Sequence, residues 1–100
     1  PDCLIFHNVT GFFTVELKVI QCNNKCIISP FQKAWNLRHA NAGAPVFILV
    51  GGLPKGHVKL FHGSQTMELG QCTVDQVPGL YAGRLEDLDF RKLPNSRLKP

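Results

Sequence analysis

The sequence predicts an α/β fold: a small mixed β-sheet with one helix packed across it. Three observations carry that expectation. Two apolar runs, residues 4–6 and 12–20, flank the segment His7-Asn8-Val9-Thr10-Gly11, which holds the Asn and Gly that turns favour. Ser29-Pro30 opens a stretch that suits a helix and ends at Gly43. Residues 45–50, Pro-Val-Phe-Ile-Leu-Val, form an unbroken apolar run stopped by Gly51-Gly52.

Each element has a local reason. The first two runs form a β-hairpin. Residues 21–27, Gln-Cys-Asn-Asn-Lys-Cys-Ile, form a polar connection. Ser29 is the expected N-cap, Pro30 fits the first helical position, and Gln32 stands three residues after Ser29 as a capping box requires. The helix is expected to run to about Ala42, with Gly43 as its stop and Pro45 beyond it. Its apolar positions are Phe31, Ala34, Trp35, Leu37 and Ala42, and Trp35 is expected in the core. The run 45–50 reads as a central strand buried on both faces and parallel to a neighbour across the helix. Strand, helix, strand is then a right-handed crossover. Residues 53–56 form a turn, and 57–62 alternate as a strand nearer an edge. Residues 66–69 are expected as one short strand. From 73 to 90 only short pieces are expected, with a helical turn near Leu85–Leu88. Residues 91–100 are a basic, loosely ordered tail.

The hairpin places chemistry. With a turn centred on Val9-Thr10, paired residue numbers sum to about 19, so Asp2 falls beside Leu17, between Glu16 and Lys18. Glu16 and Lys18 share one face of their strand and Leu17 takes the other. A twist or bulge at the strand end brings Asp2 to that face. Two carboxylates and one ammonium then converge. One or two carboxylates plus a substrate phosphate suffice to hold Mg²⁺. Such an ion polarises a phosphodiester and lowers the pKa of an attacking water, while Lys18 orients that water or stabilises charge on phosphate.

Pro1-Asp2 followed by Glu16-Leu17-Lys18 resembles the signature of the PD-(D/E)xK nucleases, and Ile28-Ser29-Pro30-Phe31-Gln32 resembles the helix start that follows it in VRR-NUC-type, Holliday-junction-resolvase-like phage and bacterial members. The resemblance covers roughly residues 1–50. It implies a restriction-endonuclease-like α/β core with a hairpin-borne active site and a packed crossover helix. It implies a Mg²⁺- or Mn²⁺-dependent deoxyribonuclease in which Asp2 and Glu16 bind the metal, Lys18 assists the water, and Gln32 lies near the site. It also implies the cytoplasm of a bacterial or phage-infected cell. Many members carry an acidic residue on a helix ahead of the Pro-Asp strand. This chain starts at the Pro-Asp, so upstream residues are expected to be missing.

Composition fits one domain of 100 residues. A formal charge of +4 suits an anionic partner such as DNA, although many basic proteins bind none. Lys25, Lys33, Arg38 and Lys55 are candidates for phosphate contacts, beside the simpler reading that they are solvated surface charges. No apolar stretch approaches the ~20 residues of a membrane helix, so no membrane partner is expected. So small a chain has little surface for reading sequence. That favours structure-selective cleavage of junctions, flaps or ends, or a homodimer with two sites.

Bland readings stand beside these. Asp2 alone would be a turn cap, Glu16 and Lys18 the solvated face of a hairpin, and Gln32 a capping residue. Cys3, Cys22, Cys26 and Cys72 are expected as free thiols, with a disulfide or half a zinc site at Cys22 and Cys26 left open. His57 and His62 stand five apart and face opposite sides of one strand, so they make a poor chelating pair. None of the four histidines is placed as a general base. Two other functions remain open: a non-catalytic nucleic-acid-binding or assembly domain of the same fold, and a small secreted disulfide-stabilised interaction protein.

Overall fold

The structure is a computed structural model and describes residues 3–7 and 11–89. Two strands open the chain, β1 (Cys3–His7) and β2 (Gly11–Val19). Helix α1 (Pro30–Asn41) follows, then β3 (Val46–Gly51) and β4 (Val58–His62). A short helix α2 (Thr66–Gln71) and a three-residue strand β5 (Tyr81–Gly83) complete the described order. The five strands form one sheet in sequence order, β1-β2-β3-β4-β5. All neighbours are antiparallel except β2 and β3, which run parallel with Glu16 beside Ile48 and Lys18 beside Val50. No described helix is long and apolar enough to cross a membrane.

The expected hairpin is present with its register moved by one. Cys3 pairs Val15 and His7 pairs Gly11, so paired numbers sum to 18 rather than 19. The last described pair is His7 with Gly11, and residues 8–10 between them lie outside the described residues. Asp2, expected beside Leu17, lies outside the described residues, as does the tail 91–100.

β3 is central and covered on both sides, as its unbroken apolar sequence requires. Ile48 and Val50 enter one core with Cys26, Ile28, Phe61, Leu69, Val74 and Val77. Phe47 enters the other with Phe13, Val15 and Leu60. There Phe13 meets Phe47 edge to face, with ring centres 5.8 Å apart. The chain leaves β4 through Gly63, where a Cβ would stand 2.3 Å from Val46 Cγ2; only glycine fits that approach.

One expectation fails after β4. Residues 66–69 form helix, not strand. Their burial repeats every three residues, with Thr66 and Leu69 buried and Met67 and Glu68 exposed. His62 starts the turn: its ring nitrogen accepts from the Ser64 N–H, and its own N–H donates to Gln65 Oε1. β5 is one of the short pieces expected over residues 73–90, though its strand character was not specified. Tyr81-Ala82-Gly83 carries no strand pattern, and β4's open edge recruits it. The helical turn expected near 85–88 is present as a 3₁₀ turn, Leu85–Asp87.

α1 is rotated against expectation. Its only fully buried side chain is Asn36, at 1% exposure. Phe31 is 81% exposed, Ala34 is exposed, and Trp35 is half-buried rather than core. Polar contacts between the start of α1 and β2 set that rotation.

Candidate functional site

The site is built where β2, β3 and the start of α1 meet. Glu16 and Lys18 lie two apart on β2 and face the same side, toward the helix. They stand near the carboxyl ends of the parallel pair, a recurrent place for ligands in α/β sheets.

Ser29 begins α1 as a true N-cap. Its Oγ accepts from the Gln32 N–H at 3.1 Å, and Gln32 Oε1 accepts from the Ser29 N–H at 3.1 Å. The same Gln32 side chain reaches the sheet. Lys18 Nζ donates to Gln32 Oε1 at 2.8 Å, and Gln32 Nε2 donates to Glu16 Oε2 at 2.7 Å. Both partners of Oε1 are donors and the partner of Nε2 is an acceptor, so the amide has one workable orientation. One side chain therefore completes the cap and links carboxylate to ammonium.

Gln32 must face the sheet to make these contacts. The next residue on that face is Asn36, one turn later. Phe31 is turned outward by the same geometry. The hydrogen bonds thus decide which way the helix lies, and the aromatic residues follow.

Glu16 is 3% exposed. A buried carboxylate needs donors, because an unpaired buried charge costs several kcal/mol, on the order of the penalty for a broken ion pair. Gln32 is one such donor. Cys26, close enough to feel the Lys18 charge, is buried in the core with Ile28. Burial pushes the Cys26 thiol above its usual pKa, and the nearby Lys18 ammonium opposes that only in part. Cys26 and Cys72 are free thiols, and Cys26 stays protonated at neutral pH. Sequence reasoning placed Cys26 in a polar loop. The available signal was alternation, since Cys26 and Ile28 are buried on either side of exposed Ile27.

Glu16, Lys18 and Gln32 are brought together; Asp2 lies outside the described residues. Among the described residues no group of three His, Cys, Asp or Glu side chains converges as a metal site would require. The basic candidates are spread over several elements. Lys25 is exposed in the β2–α1 connection, where its carbonyl accepts from the Gln21 N–H at 2.7 Å. Lys33 is half-buried against Gly70 of α2. Arg38 is exposed late in α1, and Lys55 is exposed in the turn before β4. Lys55 lines a cleft of about 340 Å³ with His57, Lys59 and Asp75, which shares no residue with the Glu16 cluster. Lys59 there is engaged, donating to the Val74 carbonyl at 3.0 Å.

His62 is half-buried, and burial lowers its pKa below the ordinary histidine value. Its ring stands edge-on to Phe47 on the sheet face opposite the cluster. This is a structural role. No family model, no curated protein and no solved structure matches the chain.

Proposed function

We propose that this protein is a metal-dependent deoxyribonuclease acting through Glu16, Lys18 and Gln32, with Asp2 as the second carboxylate. The observation that carries the reading is the linkage of a buried carboxylate to a lysine through one glutamine that also caps a helix. A hairpin's solvated face has no reason to bury its glutamate or lock its lysine.

The donor set suits Mg²⁺ or Mn²⁺. Glu16 offers hard carboxylate oxygen, as does Asp2, one residue before the first described pair of the hairpin. When bound, the ion supplies Lewis acidity toward a phosphodiester and a more acidic water. The chain's own residues do the rest. Gln32 holds the Glu16 carboxylate in one orientation. Lys18, held by the same amide, keeps an ammonium where negative charge grows on phosphate. The first turn of α1 contributes the positive end of its dipole on the same side. The exposed Arg38 supplies cationic surface for a polyanion, as do Lys25 and the +4 net charge.

The test is cleavage of labelled duplex, single-stranded, flap and four-way-junction DNA with Mg²⁺, Mn²⁺ or EDTA. Metal-dependent cutting that Glu16→Ala and Lys18→Ala each reduce by at least about a hundredfold is the expected outcome. Salt-sensitive binding with no cutting under any metal would replace this reading by a non-catalytic nucleic-acid-binding domain.

A further inference from the structure

α1 exposes Phe31 and leaves Trp35 and His39 half-buried. Phe31, Trp35 and His39 follow one another at four-residue intervals, and the exposed Arg38 falls beside them on the same side of the helix. Trp35 and His39 are stacked, with ring centres 3.8 Å apart and planes 17° from parallel. The stack is held: His39 Nδ1–H donates to the Trp35 carbonyl at 2.8 Å. Phe31, the most exposed large apolar side chain among those described, makes no ring contact among the described residues. The stripe runs about 12 Å along the helix axis. It begins at Phe31 in the first turn of α1, the residue before Gln32, whose side chain reaches Glu16 and Lys18.

We propose that this stripe is a stacking surface for an unpaired nucleic-acid strand leading to the Glu16–Lys18–Gln32 site. The inference rests on the nuclease reading and narrows its substrate to DNA with unpaired nucleotides beside the scissile phosphate. Three features favour this occupant. Flat rings fixed in place offer bases a face at little entropic cost, and stacking needs no particular sequence. Arg38, with the net charge of +4, complements a phosphate backbone rather than an apolar protein segment. A stripe only one side chain wide, interrupted by arginine, fits a strand a few nucleotides long. Intact duplex hides its base faces and would gain nothing from Phe31.

Trp35 is the only tryptophan in the chain, so its emission reports on this surface directly. The full chain is titrated in EDTA with a twelve-nucleotide oligothymidylate and, separately, with a blunt duplex of equal length. The wild type, Phe31→Ala and Phe31→Tyr are compared, and Mg²⁺-dependent cleavage is assayed in parallel on flap and duplex DNA. The expected result is quenching of Trp35 by the single strand. Phe31→Ala then weakens single-strand affinity roughly tenfold, Phe31→Tyr restores it, and duplex affinity is unchanged. Cleavage with no change in Trp35 emission, and equal single-strand affinity in all three proteins, overturns the stacking surface and leaves the nuclease standing. Quenching and Phe31 dependence without cleavage retain the surface and reject the nuclease. Emission that shifts with protein concentration but not with DNA assigns the stripe to a second copy of the chain and overturns the proposal.

Discussion

α1 and β3 are consecutive elements, one packed across the sheet and the other inside it, and they are positioned by different forces. β3 is apolar along its length, and its side chains enter cores on both faces. α1 turns a glutamine and an asparagine inward and leaves phenylalanine in solvent. For β3, burial of apolar surface is enough, and either face would do. For α1, a few directional hydrogen bonds around Gln32 choose one rotation. The hydrophobic effect is non-directional, while an amide with three assigned partners is not. A strand that needs only stability can be packed like any core. A helix that must hold a carboxylate and a lysine in register needs polar locks, and its apolar residues go where those locks send them.

The largest expected effect comes from breaking the apolar side of the comparison. Phe47→Ala removes a fully buried ring that touches Phe13 and His62, and should cost about 3–5 kcal/mol in denaturant unfolding. A loss under about 1 kcal/mol would show that β3 is not a core element.

Breaking the polar lock comes next. Gln32→Ala removes half of the capping box and one donor from a buried carboxylate, at an expected cost of about 1–3 kcal/mol. Its sharper consequence is orientation. With the anchor gone, α1 is free to rotate, and Trp35 emission should move to the blue as the ring finds apolar cover. Unchanged emission at reduced stability would mean that packing, not Gln32, sets the rotation.

The smallest effect has the opposite sign. Asn36 Nδ2 is buried with no hydrogen-bond partner among the described residues. Asn36→Leu is close in volume and removes the stranded donor, so stability should rise by about 1 kcal/mol. In a domain of this size that raises Tm by roughly 4–8 °C. A fall in Tm would reveal a partner for that amide.

How much could be read in advance divides along the same line. The N-cap at Ser29, Pro30 in the first turn and the stop at Gly43 were legible because each is decided within four residues. The strand at β3 was legible because an unbroken apolar run has few alternatives. The juxtaposition of Glu16 with Lys18 followed from strand alternation; the capping motif gave Gln32 its place in the helix start, and only the family resemblance put it near the site. The outward turn of Phe31 was hidden, since apolar spacing along a helix does not say which side the sheet will take. β5 was hidden as well, because Tyr81-Ala82-Gly83 becomes a strand only through the edge of β4. So was the helix at Thr66–Gln71, which depends on the His62 turn preceding it.

By itself, then, the sequence determined the local elements: a hairpin, a capped helix, a buried strand, and the residue types that the hairpin face and helix start would carry. Tertiary structure decided everything that required two distant segments to meet. It chose the parallel pairing of β2 with β3, brought Gln32 onto Glu16 and Lys18, buried Cys26 near the lysine, and left Phe31 of α1 in solvent. The reason is the range of the forces. Caps, turns and alternation are written in neighbouring residues. The rotation of a helix against a sheet depends on contacts between residues 14 to 16 positions apart, which form only once the chain has closed on itself.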